Sequence, residues 1–258
     1  MSEEPSKPID LPIAPKDIFR ILALRSVVEQ PAMVQKLLDN FDLIFERIPR
    51  TPRLDPRFPR NPFDYEHTGR TIVNAGFGEF TERELCASDN AFFGHTLDGI
   101  GTVIDYELPL DETKDSALGK IDLVSLTNNG ELFLLEVKKV KSNEHPLRAM
   151  FEIFTFWKML MDEEGTFDRF LEQYKQCPQF PKDGRFNEKE LKVLPGLLLC
   201  ETSDVRNSLV SDKMKPTEKE LFGRFLSDKI GLRVFSYSEK NLSVRNITDT
   251  VKRNCGVF

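Results

Sequence analysis

Two charged residues end an apolar run in the middle of the chain. The run ELFLLEVKKV (131–140) predicts a β-strand, and Glu136 and Lys138 stand two residues apart near its end. Because strand side chains alternate between faces, both lie on the face that Leu132 and Leu134 share. Charges at the edge of a core cost free energy, so their presence favours a functional role. The chain holds two further Glu-x-Lys triplets, in polar stretches where solvated side chains are expected: 112–114 and 190–192.

An acidic residue of the preceding predicted strand, Asp122, joins this pair if the turn between the strands has the right length. A two-residue loop at 129–130 turns Asp122 away from Glu136. A three-residue loop at 128–130, with its glycine in the left-handed region, sets Asp122 opposite Glu136. The sequence allows both hairpins, and only the second brings the two carboxylates to one face.

Two neighbouring carboxylates and a lysine have the chemistry for phosphodiester hydrolysis. The carboxylates repel each other, and a divalent cation neutralises them most directly. Oxygen ligands are those that Mg²⁺ and Mn²⁺ prefer. Lys138, one pleat along, would orient or deprotonate a water or neutralise charge on a phosphate. The competing interpretation is a structural ion pair at the strand end.

The run GKIDLVSLTNNGELFLLEVKKVK, with the amphipathic helix after it, resembles the core of the PD-(D/E)xK, or restriction-endonuclease-like, nuclease superfamily. The resemblance covers residues 77–201 and is strongest to Holliday-junction-resolvase-like and uncharacterised bacterial members. It implies that Asp122 and Glu136 hold Mg²⁺ or Mn²⁺ together with the carbonyl of Val137, and that Lys138 is the catalytic lysine. An Ile rather than a Pro precedes Asp122. We predict a metal-dependent nuclease, with DNA a better substrate candidate than RNA.

The same resemblance implies a further acidic ligand from the helix before the first strand. The segment GFGEFTEREL offers Glu79, and Glu82 is the less favoured choice. An exposed acid at a helix start explains Glu79 equally well. The helix after the Glu-x-Lys triplet lacks the Gln and Tyr of many relatives. Arg148 and Glu152 are its polar residues nearest to the site.

The surrounding elements predict an α/β fold with a mixed central sheet flanked by helices, the restriction-endonuclease-like core. Apolar residues that repeat every two positions indicate strands, and apolar residues three and four positions apart indicate helices. Residues 1–62 are interpreted as an N-terminal arm with two helices, and residues 63–258 as the nuclease core. Predicted strands cover 101–110, 119–126, 131–140, 193–201 and 232–238. Predicted helices lie near 79–90, 147–161 and 167–174 and after a capping box at Thr217 and Glu220.

An Arg- and Pro-rich segment at 47–62 has five arginines against one acid. A solvated linker is the favoured interpretation, and the functional one is phosphate contact. Nucleic-acid contacts are then expected from Arg53, Arg57 and Arg60, with Lys139 and Lys141 extending the basic rim.

Composition restricts the class of protein. The 258 residues carry a formal net charge of −6 and are 40% hydrophobic, which favours a folded chain without a uniformly basic surface. Four cysteines without a CxxC pair and three histidines argue against a zinc site or a disulfide framework. Neither a signal peptide nor a membrane span is recognised, so a soluble, cytoplasmic protein is expected. The alternative to a nuclease is an inactive nuclease-fold module that binds nucleic acid or a protein. The oligomeric state is left open, a homodimer included.

Overall fold

The computed structural model describes residues 31–39, 41–42, 94–109, 120–140, 142–162, 167–168, 171–172, 191–238, 240 and 243–257. The helices within these residues are α1 (Pro31–Asp39), α2 (Pro146–Asp162), α3 (Asp204–Val210), α4 (Pro216–Leu226) and α5 (Thr248–Asn254). The strands are β1 (Thr96–Leu97), β2 (Gly101–Pro109), β3 (Lys120–Leu126), β4 (Glu131–Lys138), β5 (Lys192–Cys200), β6 (Arg233–Tyr237) and β7 (Val244–Asn246).

These seven strands form one sheet, and their spatial order follows the sequence. Strands β1 to β4 are antiparallel neighbours, β4, β5 and β6 run parallel, and β7 returns antiparallel to β6. Parallel neighbours need a crossover connection. Helix α2 lies in the first crossover, and α3 and α4 lie in the second. The predicted α/β class with a mixed central sheet is confirmed.

The side chains of β4 divide between two cores. Leu132 and Leu134 pack in the core that the helices cover, whereas Phe133 and Leu135 belong to the core on the other face. Because side chains alternate along a strand, Glu136 comes next on the helix-covered face. The sequence pattern therefore brings a carboxylate to the edge of the larger core, under α2.

The second core is enclosed by the curl of the sheet itself. The rings of Phe133 on β4 and Phe235 on β6 meet edge to face, with centroids 5.2 Å apart. A Cβ atom at Gly99, in the turn before β2, would lie only 3.6 Å from the Phe235 ring. The first and last strands thus approach each other, and the sheet is nearly closed.

The hairpin between β3 and β4 has the three-residue loop on which the site depends. Thr127 N–H donates to the Glu131 carbonyl at 2.9 Å, and Gly130 N–H donates to the Thr127 carbonyl at 3.2 Å. Gly130 has φ +83°, a conformation that other residues rarely adopt. The predicted register is confirmed, and the two-residue alternative is wrong.

Helix α1 packs against the C-terminal half of the chain. Val34 and Leu37 are fully buried, and the Phe41 ring contacts Phe225 of α4 edge to face at 5.3 Å between centroids. The first predicted N-terminal helix, the Arg- and Pro-rich segment and the predicted helix at 79–90 lie outside the described residues.

Several predicted boundaries shift by one or two residues, and one predicted cap is wrong. Helix α4 begins at Pro216 rather than after Thr217, and Glu218, not Glu220, closes the cap by accepting from Lys215 N–H at 2.9 Å. Proline suits a first helical position because it lacks the N–H that would go unpaired there. The sequence analysis also missed the short elements β1, β7, α3 and α5. Of the helices in the described part, none is long and apolar enough to cross a bilayer.

Candidate active site

Glu136 holds a carboxylate inside the protein near the end of β4. The residue is 4% exposed, and its Oε1 accepts a hydrogen bond from Lys138 Nζ at 2.7 Å. The other oxygen, Oε2, is buried and has no hydrogen-bond partner among the described residues. Buried polar atoms are nearly always hydrogen-bonded. Oε2 is therefore the atom of this site best placed to bind something other than the protein.

Asp122 lies where the backbone ladder between β3 and β4 ends. The last pair of that ladder is Leu123 with Leu135, and the same register continues to Asp122 and Glu136. Here Val137 N–H donates to the Asp122 side chain, to Oδ2, at 2.7 Å. This hydrogen bond fixes the Asp122 carboxylate against the peptide that follows Glu136.

The protonation of Glu136 reflects its burial and three charged neighbours. Burial raises the pKa of Glu136 well above its ordinary value, and the negative charge of Asp122 raises it further. The Lys138 ammonium lowers this pKa, and Glu152 raises it again. The net result is a carboxyl group that binds its proton more tightly than in water. A cation at Oε2 would favour the ionised form.

Lys138 is surrounded by three carboxylates. Its Nζ lies 2.7 Å from Glu136 Oε1 and 3.5 Å from Glu152 Oε2, and it also forms an ion pair with Glu144 Oε2. Burial lowers the pKa of Lys138, but the three carboxylates outweigh burial and raise it well above its ordinary value. Lys138 is thus an ammonium at neutral pH, which favours a fixed positive charge over a base that deprotonates water.

Glu144 and Glu152 reach Lys138 from two different parts of the chain. Glu152 lies on α2. The sequence analysis names Glu152 and Arg148 as the polar residues of this helix nearest to the site. Arg148 contacts Glu144 instead, with its Nε 2.8 Å from Glu144 Oε1. The sequence analysis does not identify Glu144. Its only local signal is the spacing of four between Glu144 and Arg148, which is typical of helical ion pairs.

Four acidic side chains therefore meet at this end of the sheet. We call them the carboxylate cluster: Asp122, Glu136, Glu144 and Glu152. Among the described contacts, Lys138 and Arg148 are the cations paired with the cluster, so these four acids and two cations carry a net charge of −2 when all are ionised. One divalent cation would balance that charge, and carboxylate oxygens are ligands that Mg²⁺ and Mn²⁺ prefer.

His145 is close to the cluster in sequence, but its contacts serve the helices. Its Nδ1 accepts from Leu147 N–H at 3.3 Å, at the first turn of α2. Its Nε2 lies 3.7 Å from Glu218 Oε1 on α4. These two described contacts of His145 join the first turn of α2 to α4.

The remaining predicted site residues are not brought to the cluster by any described contact. Lys139 follows Lys138 and is half-buried. In the part of the chain that the structure describes, no group of three or more His, Cys, Asp or Glu residues is arranged to hold a metal ion. Asp122 and Glu136, two of the three acidic ligands that the resemblance implies, are close enough for the charge of Asp122 to raise the pKa of Glu136, while Glu144 and Glu152 contact the lysine. The predicted residues that lie outside the described ranges are Glu79, Arg53, Arg57, Arg60 and Lys141.

Comparison with known proteins adds no relative. No protein-family model matches the chain, and neither a curated protein nor a solved structure matches it. The superfamily resemblance therefore stays a prediction from the motif.

Proposed function

We propose that the chain is a metal-dependent nuclease that hydrolyses phosphodiester bonds, in DNA rather than RNA, with a PD-(D/E)xK-type site. The observation that supports this proposal best is the Glu136 carboxylate. One of its oxygens contacts Lys138, and the other is buried without a described partner. Burying an ionised carboxylate is costly unless a positive charge compensates it. A divalent cation at the free oxygen would provide that compensation.

The donors of the site fit Mg²⁺ or Mn²⁺. Asp122 and Glu136 would hold the ion, and the resemblance adds the Val137 carbonyl and Glu79. Both carboxylates supply hard oxygen donors, and the cluster has the net negative charge that a divalent ion requires. When bound, such an ion supplies Lewis-acid polarisation of a phosphate and lowers the pKa of a coordinated water.

The role of Lys138 follows from its charge. Three carboxylates keep Lys138 protonated, so its ammonium is a permanent hydrogen-bond donor next to them. It would stabilise the negative charge that develops on the phosphate during cleavage. Because its side chain is only 11% exposed, this charge acts in a medium less polar than water, where it has a larger effect.

Nucleic-acid affinity is expected to come from residues outside the cluster. The net-negative cluster repels phosphates unless a cation is bound there. Arg53, Arg57 and Arg60 would contact phosphates, with Lys139 and Lys141 beside the site. Such contacts position a nucleic acid without reading its sequence.

One observation favours the alternative, an inactive module that binds nucleic acid or a protein partner. Lys138 already has three carboxylate partners without any metal. A lysine with a purely structural role would have the same contacts. The alternative predicts neither cation binding at Glu136 nor cleavage.

Cleavage combined with metal titration separates the two functions. The purified chain is incubated with labelled single- and double-stranded DNA and RNA, with Mn²⁺ or with a chelator, and calorimetry measures Mn²⁺ binding. The nuclease cuts, DNA above all, only when the metal is present. The control variant is Glu220→Gln, an exposed acid of α4 that lies 3.8 Å from Arg224, and it should behave as wild type. A wild-type chain that neither binds Mn²⁺ nor cuts would favour the binding module.

A further inference from the structure

We propose that Glu144 is a positioning residue that holds the Lys138 ammonium in place, and that Arg148 in turn fixes Glu144. This inference rests on the proposed function, because it assigns a further residue to the same site. Neither Glu144 nor Arg148 contacts the predicted metal ligands in any described interaction. Glu144 acts through the lysine and not on the reacting groups.

The two carboxylate oxygens of Glu144 bind two different cations. Oε2 forms the ion pair with Lys138, and Oε1 forms an ion pair with Arg148 Nε at 2.8 Å, although Nε has no hydrogen-bond partner among the described residues. The Glu144 side chain is 14% exposed, so the pair with Lys138 is shielded from water on both sides. Shielded ion pairs are stronger and more directional than exposed ones. Glu144 therefore connects the end of β4 to the first turn of α2.

The backbone on both sides of Glu144 is held by other elements. Ser142 O accepts from Asp204 N–H at the start of α3 at 3.1 Å, and Ser142 N–H donates to Lys139 O at 3.1 Å. His145 O accepts from Arg148 N–H at 2.9 Å. Residues 142–145, which we call the anchor loop, are thus attached to β4, α2 and α3. These hydrogen bonds fix the backbone from which the Glu144 side chain extends.

A fixed ammonium matters most when a cation binds. Glu136 then shares its charge between the cation and Lys138, and its hold on the ammonium weakens. Glu152 is 3.5 Å from Nζ, at the long end of a hydrogen bond. Glu144 is the partner that keeps Lys138 beside the metal position and prevents it from moving into solvent or into the place of the metal.

Glu144 could act only through its negative charge or through its fixed position, and these two roles predict opposite effects of Arg148→Gln. If Glu144 mattered only as a negative charge, removing the neighbouring positive charge would strengthen Mn²⁺ binding and leave cleavage at least as fast. If Glu144 must be held in place, the same variant slows cleavage. Glu144→Asp adds a second comparison, since it keeps the charge but is one methylene too short to span both cations.

The experiment follows the Lys138 ammonium directly in the full-length, metal-free chain. At low temperature, ¹H–¹⁵N correlation spectra show lysine ammonium groups whose protons exchange slowly because ion pairs hold them. Lys138→Met assigns the signal. Cleavage rates and Mn²⁺ affinities are measured on the same proteins: wild type, Glu144→Gln, Glu144→Asp, Arg148→Gln and the control Glu220→Gln.

We expect a slowly exchanging Lys138 signal in wild type and Glu220→Gln, faster proton exchange in Glu144→Gln and Glu144→Asp, and a smaller increase in Arg148→Gln, since Glu136 and Glu152 still contact the ammonium in each variant. Cleavage should fall by on the order of ten- to a hundredfold in both Glu144 variants and by less in Arg148→Gln. A proton-exchange rate of the Lys138 ammonium in Glu144→Asp equal to that in wild type, or an Arg148→Gln variant that cuts as fast as wild type, overturns the inference. A wild-type chain that neither binds Mn²⁺ nor cuts overturns the proposed function alone, because the ammonium signal still decides where Lys138 is held.

Discussion

The acids of two acid–lysine pairs in this molecule have pKa values shifted in opposite directions, although each lysine lowers the pKa of its acid. Asp212 is exposed and pairs with Lys219, which lowers the pKa of Asp212. Glu136 is buried and hydrogen-bonded to Lys138 at 2.7 Å, yet its pKa is raised. Lys138 lowers the pKa of Glu136 as Lys219 lowers that of Asp212, but at Glu136 other causes outweigh the lysine.

Burial and further acids explain this difference. Removal from water raises the pKa of Glu136, and Asp122 and Glu152 add negative charge nearby. Lys138 is shared among three carboxylates, so its charge compensates each of them only in part. An exposed ion pair needs no further partner, whereas in the described contacts of the buried cluster the acids outnumber the cations. That deficit is what a bound cation would correct.

Glu136→Gln should have the largest effect on activity. The amide removes a charged metal ligand, so cleavage should fall by on the order of a hundredfold or more. Mn²⁺ affinity should fall as well, since Mn²⁺ prefers charged oxygen ligands. Cleavage assays and calorimetry on the purified variant measure both effects.

The same variant should gain stability without metal, because it removes an uncompensated buried charge. Its melting temperature should lie above that of metal-free wild type, and Mn²⁺ should raise the melting temperature of wild type more. Mn²⁺ at a hundred times its Kd would add about 2.7 kcal/mol to the free energy of unfolding. Equal responses of both proteins to Mn²⁺ would mean that Glu136 does not bind it.

Lys138→Met should abolish cleavage by a different route. The methionine keeps the buried apolar stem and removes the ammonium, so both predicted ligands remain. We expect Mn²⁺ to bind at least as tightly as in wild type. Without metal, the loss of one partner of a buried ion pair should lower the free energy of unfolding by about 3–5 kcal/mol. If Lys138→Met cuts at the wild-type rate, the lysine is only a structural partner.

The raised pKa of Glu136 predicts a pH dependence of the metal-free stability. Because its folded pKa lies above the unfolded value, its contribution is complete at low pH and is lost as the pH rises through the folded pKa. Relative to Glu136→Gln, wild type should therefore lose stability from about the ordinary value of 4.5 upward. Thermal unfolding across this pH range, with and without Mn²⁺, measures the slope. If Mn²⁺ leaves this slope unchanged, Glu136 does not bind the metal.

The register at the site could be predicted because its cause is local. Three residues form the loop, and its last position, Gly130, needs a left-handed conformation that glycine adopts without strain. Given that turn, alternation along two strands sets Asp122 beside Glu136. The apolar β4 and α2 were predictable for the same reason, since each has a clear period.

The contact of Glu144 with Lys138 could not be predicted, because it depends on how distant elements pack. Glu144 reaches the lysine only because the anchor loop is attached to α3, about sixty residues later in the chain. Helix α2 brings Glu152 to the site only when it lies across β4. The short strands β1 and β7 likewise form where the curl of the sheet provides a neighbour, and their sequences have no distinct period.

The arginines of the Arg- and Pro-rich segment are expected to be exposed, like Asp212 and unlike Glu136. Neutralising Arg53, Arg57 and Arg60 together should weaken DNA binding without changing which sequences bind. Each lost phosphate contact should lower the slope of log affinity against log salt by about 0.9 for duplex DNA. Binding titrations at several salt concentrations give the slope. An unchanged slope would identify the segment as a linker.

Asp212→Asn should have the smallest effect of all, although it too removes the acid of an acid–lysine pair. The Asp212 side chain is 90% exposed, so water and salt screen the pair with Lys219, and both groups are well solvated when it breaks. The melting temperature at neutral pH should match that of wild type, and so should cleavage and Mn²⁺ affinity. Because Lys219 lowers the pKa of Asp212, any stabilisation by this pair is present above the unfolded pKa and lost as the pH falls through the folded one. Thermal unfolding of Asp212→Asn beside Glu136→Gln, in low and high salt, makes the comparison direct. If the two variants shift the melting temperature by the same amount, burial is not what distinguishes the Glu136 pair, and the deficit of positive charge in the carboxylate cluster has no measurable consequence.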